Sequence, residues 1–335
     1  MNLIDHILIP TDFSEDSEKA CRVADKMLSS GDGTVDLLHV IPNTILHDEQ
    51  IKEAASVDIN SKNARADGRE LYPMIFNEAE LKLKKLMKNH FHYANRGKTY
   101  ITVDRSPART IADKAWNGNY SMIIMSAKGK HESGWFRGST TEEVIRSSRA
   151  PVLSVFDSAD TLETGRIVIP VDGSLLSMSA IPAAAMIASI FHATITFLYV
   201  HEVLGLFSNT IPDKPDDQKT RRTHEYLMDQ LMNFIDTAKP HGLHVIDSDA
   251  AGLTGLLYDN REIGISFDVL KGYSAHHEIT SYANQYADMV VMATHGRSGL
   301  AHMLLGSHAE KVALNTQKTV LTVRPDPEIF EQQNA

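Results

Sequence analysis

Asp5-His-Ile-Leu-Ile-Pro10-Thr-Asp12-Phe-Ser14 returns 160 residues later as Gly165-Arg-Ile-Val-Ile-Pro170-Val-Asp172-Gly-Ser174. In both stretches a short apolar run ends at proline, and an aspartate and a serine follow. That is the pattern of a buried strand running into a helix cap. The same offset sets Leu37-Leu-His-Val40 on Phe197-Leu-Tyr-Val200. Farther along the offset becomes 167: residues 100–103 fall on 267–270, Ser121-Met-Ile-Ile-Met125 on Asp288-Met-Val-Val-Met292, and Gly129 on Gly296. Repeated anchors at two offsets mean a duplication. The change of offset places an insertion within residues 244–266, which carry Gly252, Gly255 and Gly264.

Outward from that strand, each copy alternates strands with helices. In the first copy, strands are expected at residues 6–9, 34–40, 99–103, 121–125 and 152–156. Ala20, Val23, Ala24, Met27 and Leu28 recur at helical spacing between the first two. Residues 49–92 read as mostly helical. The second copy repeats the plan through a strand at 320–323, with an exposed loop at 204–219 marked by Pro212 and Pro215. Alternation of this kind implies an α/β fold with a mostly parallel sheet covered on both faces. The expected organisation is a first domain at 1–157, a polar linker at 158–165, a second domain at 166–324 and a tail at 325–335.

Composition narrows the function classes. The 335 residues are 42% hydrophobic and 23% charged, as in soluble globular proteins, and suffice for two domains with cores of their own. A net charge of −10 with no basic run argues against nucleic acid and anionic lipid as partners. The longest apolar stretch, near residues 180–191, is shorter than the roughly 20 residues that span a bilayer. The opening residues lack a charged and apolar leader pattern, so a cytoplasmic location is expected. A single cysteine, Cys21, suits a reducing compartment and reads as a buried structural thiol.

Ligands of open α/β sheets bind beyond the carboxyl ends of strands, where the strand order reverses. Two loops per copy qualify. One follows the first strand and carries Asp12 or Asp172. The other follows the fourth strand and runs from Ser126-Ala-Lys-Gly129 to Gly138-Ser139, or from Ala293-Thr-His-Gly296-Arg297 to Gly306-Ser307. Glycines admit close backbone approach to a phosphate, a helix start offers free N–H groups, and Arg297 adds a cation. The same residues fit ligand-free helix caps, since Ser139-Thr-Thr-Glu142 and Ser307-His-Ala-Glu310 both read as capping boxes.

Asp after the first strand, Val ending the second, and a glycine motif with a nine-residue spacing before Gly-Ser resemble the universal stress protein family, over essentially the whole chain. The resemblance implies two tandem Rossmann-like domains, each a five-stranded parallel sheet with helices on both faces. It also implies a stress-response protein that binds an adenine nucleotide, ATP, accompanied by Mg²⁺. Carried onto this chain, the second-copy site comprises Pro170, Val171, Asp172, Val200, Ala293, Gly296, Arg297, Gly306, Ser307 and His308. Asp172 and Val200 would face the adenosine end; Gly296, Arg297, Gly306 and Ser307 would hold the phosphates. The first-copy counterpart comprises Asp12, Val40, Gly129, Gly138 and Ser139.

The copies depart from the motif unequally. Ala293 stands where the motif begins with glycine, but nine residues separate Gly296 from Gly306. In the first copy Ser126 takes that place, eight residues separate Gly129 from Gly138, and Glu132, Trp135 and Phe136 crowd the loop. The second site is therefore expected to be the nucleotide site. The resemblance further implies pairing of the two halves through their last strands about a pseudo-two-fold axis, with association of two chains into a homodimer left as an open alternative. No catalytic residue is assigned. A nucleotide-free interaction scaffold and a slow ATPase remain the alternatives, while adenylyl transfer lacks its signature loops. Sixteen histidines raise a metal question. The closest pairs, His90 with His92 and His276 with His277, do not share a helix face, and no metal site is expected.

Overall fold

The computed structural model describes residues 4–29, 33–42, 73–128, 137–156, 165–203, 217–246, 255–294 and 307–325. They belong to two compact units, Met1–Gly134 with Gly138–Val155, and Trp135–Arg137 with Phe156–Ala335.

The first unit runs β1 (His6–Pro10), α1 (Glu15–Leu28), β2 (Thr34–Pro42), α2 (Pro73–His90), β3 (Arg96–Asp104), α3 (Pro107–Asn117), β4 (Met122–Ser126), α4 (Ser139–Ser147) and β5 (Val152–Val155). Its strands are parallel and lie in the order β3-β2-β1-β4-β5. Every residue of β4 and β5 is buried, which requires helices on both faces of the sheet. The first helix shows why these residues form it. Ser14 caps it by accepting from the Ser17 amide at 3.0 Å, and Glu15, Asp16 and Glu18 occupy the positive end of the helix dipole. Ala20, Cys21, Val23, Ala24, Met27 and Leu28 then form one buried stripe. Burial pushes the Cys21 thiol up to about 12, so it packs as the inert thiol the sequence suggests.

The second unit runs β6 (Arg166–Val171), α5 (Leu175–Met178), α6 (Ile181–Phe191), β7 (Thr194–Glu202), α7 (Asp217–Ala238), β8 (Leu243–Ile246), β9 (Gly255–Tyr258), β10 (Arg261–Gly272), α8 (Ala275–Tyr286), β11 (Met289–Ala293), α9 (Ser307–Asn315) and β12 (Thr319–Val323). The parallel core has the order β10-β7-β6-β11-β12, the same winding as in the first unit. Register repeats with it. His6 pairs with Thr34 as Arg166 pairs with Thr194, and Ile7 with Met122 as Ile167 with Met289. Even the entry to the fourth strand is copied: Ser121 Oγ accepts from the His6 amide, and Asp288 Oδ2 from the Arg166 amide, each at 2.9 Å.

Of the insertion at 244–266, the described residues are sheet and the turn within it; residues 247–254 lie outside the described residues. β8, β9 and residues 261–264 of β10 form an antiparallel meander, which precedes the segment of β10 that pairs with β7 and extends the sheet beyond the five strands of the first unit. Asp259 and Asn260, with φ of 45° and 66°, make the two-residue turn between β9 and β10.

Two local expectations need correction. The exposed segment assigned to 204–219 ends sooner, because α7 already begins at Asp217; residues 204–216 lie outside the described residues. In α4 the cap is Gly138, not Ser139, and no side chain caps it. Thr141 instead donates to the Ser126 carbonyl at 2.8 Å, tying the helix start to the end of β4. Residues 49–72 and the linker 158–164 also lie outside the described residues.

Within the second unit Arg137 is almost fully buried. Its guanidinium donates to the carbonyls of Ala313 at 2.5 Å, Thr316 at 3.3 Å and Lys318 at 2.8 Å. A buried cation on the carbonyls that end α9 satisfies groups a helix C-terminus leaves open.

Candidate functional site

In each unit the strand order reverses once, between β1 and β4 and between β6 and β11. Such a reversal marks the carboxyl edge of an open α/β sheet where ligands bind. Asp12 follows β1, and Asp172 follows β6.

Both loops are built on one hydrogen-bond frame. Asp172 Oδ1 accepts from the Ser174 amide at 2.9 Å and its hydroxyl at 2.6 Å, while Asp12 Oδ1 accepts from the Ser14 amide at 3.0 Å and its hydroxyl at 2.5 Å. The serine then caps the next helix turn through Ser177 or Ser17. Such a frame needs a left-handed residue between the aspartate and the serine. The second unit places Gly173 there at φ 81°, and the first places Phe13 at φ 63°.

The surroundings of that residue differ. In the second unit the half-exposed Tyr226 of α7 lies against Gly173. A Cβ on Gly173 would come within 2.7 Å of the ring. In the first unit the Phe13 ring tilts against His39 at a centroid distance of 4.3 Å, with the Lys82 ammonium 5.5 Å from its centre. His39 Nδ1–H donates to the Thr11 carbonyl at 2.8 Å. Burial holds His39 below its ordinary value, with Lys82 adding to the effect, while the Thr11 carbonyl and Asp12 act against it.

Several expected second-unit residues meet at this edge. Pro170 and Val171 end β6, Asp172 follows them, and Val200 of β7 lies one residue beyond Tyr199, the partner of Val171. Ala293 ends β11 beside them, and its successor Thr294 extends the sheet by donating to the Val323 carbonyl at 2.9 Å. His308 is an exposed residue in the first turn of α9, which Ser307 begins. Gly296, Arg297 and Gly306 lie outside the described residues, as does the side chain of Ser307. In the first unit Asp12 is exposed, Val40 is buried in β2, Gly138 caps α4 and Ser139 is its exposed first residue; Gly129 lies outside the described residues.

Three residue groups at these edges escaped sequence reading: Phe13 with His39, Tyr226 against Gly173, and His276 with His308. The His276 ring meets the His308 ring edge-on at a centroid distance of 5.9 Å, and its sequence neighbour His277 is exposed. A left-handed phenylalanine has no sequence signal of its own, but alignment on Gly173 exposes the position. The other pairs join residues far apart in the chain, which local periodicity does not connect. Among the described residues, no three His, Cys, Asp or Glu side chains group closely enough to hold a metal ion, and no helix is long and apolar enough to cross a membrane.

The model of the Universal stress protein family matches residues 4–155 and again 163–324. A universal stress protein of Mycolicibacterium smegmatis is 24% identical over 325 residues, covering 95% of this chain and 97% of its own. One from Methanocaldococcus jannaschii is 28% identical over 162 residues, covering 48% of this chain and 81% of its own. In fold, the chain is similar to a universal stress protein from Archaeoglobus fulgidus, with a TM-score of 0.56 at 18% identity and coverage of 96% and 99%. A Pseudomonas aeruginosa protein of unknown function gives 0.57 at 17% identity, with coverage of 99% and 96%.

Proposed function

The chain belongs to the universal stress protein family, matching it twice in tandem, and on that premise we propose that it is a cytoplasmic stress-response protein whose second unit binds ATP. Its output is a change of conformation or of partner contacts, with a homodimer among those partners. The observation that carries the reading is the strand-order reversal between β6 and β11. It sets Asp172, which follows β6, beside Ala293, which ends β11, at the edge where open α/β sheets take their ligands.

The donor set suits the ligand. Asp172 and Val200 take the adenosine end, and Gly296, Arg297, Gly306, Ser307 and His308 take the phosphates through backbone amides and positive charge. Mg²⁺ would accompany the triphosphate through its own oxygens and water. In the first unit the phosphate loop is one residue shorter and carries Glu132, Trp135 and Phe136, so that unit is the poorer nucleotide site.

The test is direct. Protein purified without added nucleotide is heat-denatured, and the supernatant is resolved by ion exchange. Roughly one ATP or AMP per chain, with a rise in melting temperature on adding ATP, supports the reading. Absence of both supports a nucleotide-free interaction scaffold, the reading that Ala293 at the head of the glycine motif favours. A slow ATPase would release ADP and phosphate during prolonged incubation.

A further inference from the structure

His276 stands in the first turn of α8 and His308 in the first turn of α9, and their imidazoles meet edge-on with centroids 5.9 Å apart. The charged and titratable groups facing His276 are Lys311 and His308 from α9, His277 from its own helix, and Glu202 at the end of β7. Glu202 is already engaged, accepting from the Ala275 amide at 2.7 Å. His276 Nδ1 shares a hydrogen bond of 2.8 Å with Ser274 Oγ, which fixes the ring and leaves Nε2 for another partner. On a chain of net charge −10, the Lys311 ammonium and the His276 and His308 imidazoles thus gather where the last two helices of the second unit begin.

We infer that His276, His308 and Lys311 form a tetrahedral-oxyanion site in which binding and protonation are coupled, so that the second unit holds phosphate groups more tightly as pH falls. The inference deepens the nucleotide reading, on which it rests only for the identity of the natural ligand. Three observations support it.

The two imidazoles come from different helices, so their approach is a property of the fold rather than of sequence neighbours. Lys311 beside them disfavours a metal cation and favours an anion. Burial first, then Lys311, His308 and His277, hold the His276 imidazole below its ordinary value, with Glu202 opposing. The free site is therefore short of protons. An oxyanion beside the two rings, accepting from both, offsets their mutual repulsion and raises the His276 value, so its binding takes up a proton. The sign follows: affinity grows as pH falls through the bound-state value and levels off below the free-state value, with tenfold per pH unit as the ceiling for one proton. A cell that acidifies under stress would load this unit more fully.

The experiment titrates the full-length protein calorimetrically with sulfate and, separately, with ATP, between about pH 8 and pH 5.5. Sulfate keeps its charge over that range, so any dependence belongs to the protein. The expected result for sulfate is a roughly tenfold gain in affinity across the range, reduced to less than twofold in His276→Gln and His308→Gln, with Lys311→Met weaker at every pH. All three positions are at least partly exposed, and melting curves verify that the variants fold. Sulfate binding that strengthens with acid, together with no ATP binding, means a free inorganic anion is the ligand: the site stands and the nucleotide reading falls. ATP binding that is indifferent to pH and to all three variants leaves the nucleotide reading intact and overturns this one. Absence of sulfate binding at pH 5.5, or an undiminished pH dependence in His276→Gln, also overturns it.

Discussion

Asp12-Phe13-Ser14 and Asp172-Gly173-Ser174 occupy the same turn, make the same aspartate–serine hydrogen bonds and share the same left-handed centre. One turn holds a glycine and the other a phenylalanine. The frame is thus fixed by the fold, while the central residue varies with the side chain packed against it. Glycine accepts the left-handed backbone freely and leaves room for Tyr226. Phenylalanine bears a strain of about 1–2 kcal/mol there. It gains a ring contact with His39 and a cation over its face, so its own side chain covers the turn that Tyr226 covers in the second unit. A duplicated scaffold can keep its hydrogen bonds while the residue at the centre of the turn changes.

The largest expected effect tests the glycine. Gly173→Val adds both left-handed strain and a clash with Tyr226, and should lower the stability of the second unit by about 3 kcal/mol in urea unfolding. Phe13→Gly should change stability by less than about 1 kcal/mol, because relief of strain offsets the lost ring contacts. Equal losses at the two positions would break the comparison.

Asp172→Ala and Asp12→Ala remove the same pair of hydrogen bonds, and each should cost about 1 kcal/mol. They should part on ligand binding, with ATP affinity falling at least about tenfold for Asp172→Ala and staying unchanged for Asp12→Ala.

A pH effect comes next. The folded first unit holds His39 below its ordinary value of 6.5, so the unfolded chain binds the proton more readily. Its contribution to stability is complete above pH 6.5 and declines as pH falls through that value toward the folded one. Replacing His39 with Gln should flatten the decline in a pH series of melts, and an unchanged slope would place the effect elsewhere.

The smallest effect should come from Lys82→Met. Removing an ammonium 5.5 Å from the Phe13 ring should cost no more than about 0.5–1 kcal/mol.

The sheet was legible in the sequence because its buried strands are short apolar runs and because they occur twice. Ile7-Leu-Ile and Ile167-Val-Ile announce themselves, and the repeat confirms each by the other. The meander at β8–β10 was hidden by Gly252, Gly255 and Gly264, which read as breaks. Gly255 and Gly264 in fact pair with each other across the antiparallel strands. Asp259-Asn260 between Leu256-Leu-Tyr258 and Arg261-Glu-Ile263 was the turn signal that pointed to a hairpin. The start of α7 was masked by Pro212 and Pro215, although proline shortly before a helix is compatible with the helix that follows. At the crevice, Asp12 and Asp172 could be picked from sequence because they follow the strands directly. Phe13 with His39, and His276 with His308, could not, because they meet only once parallel strands and separate helices are packed.

The number of ATP molecules bound per chain tests the unequal sites most directly. Calorimetric titration of the intact protein should give roughly one, lost in Gly306→Val and kept in Gly138→Val, with melting curves showing both variants folded. Two per chain, none, or a single site that survives Gly306→Val would contradict the account.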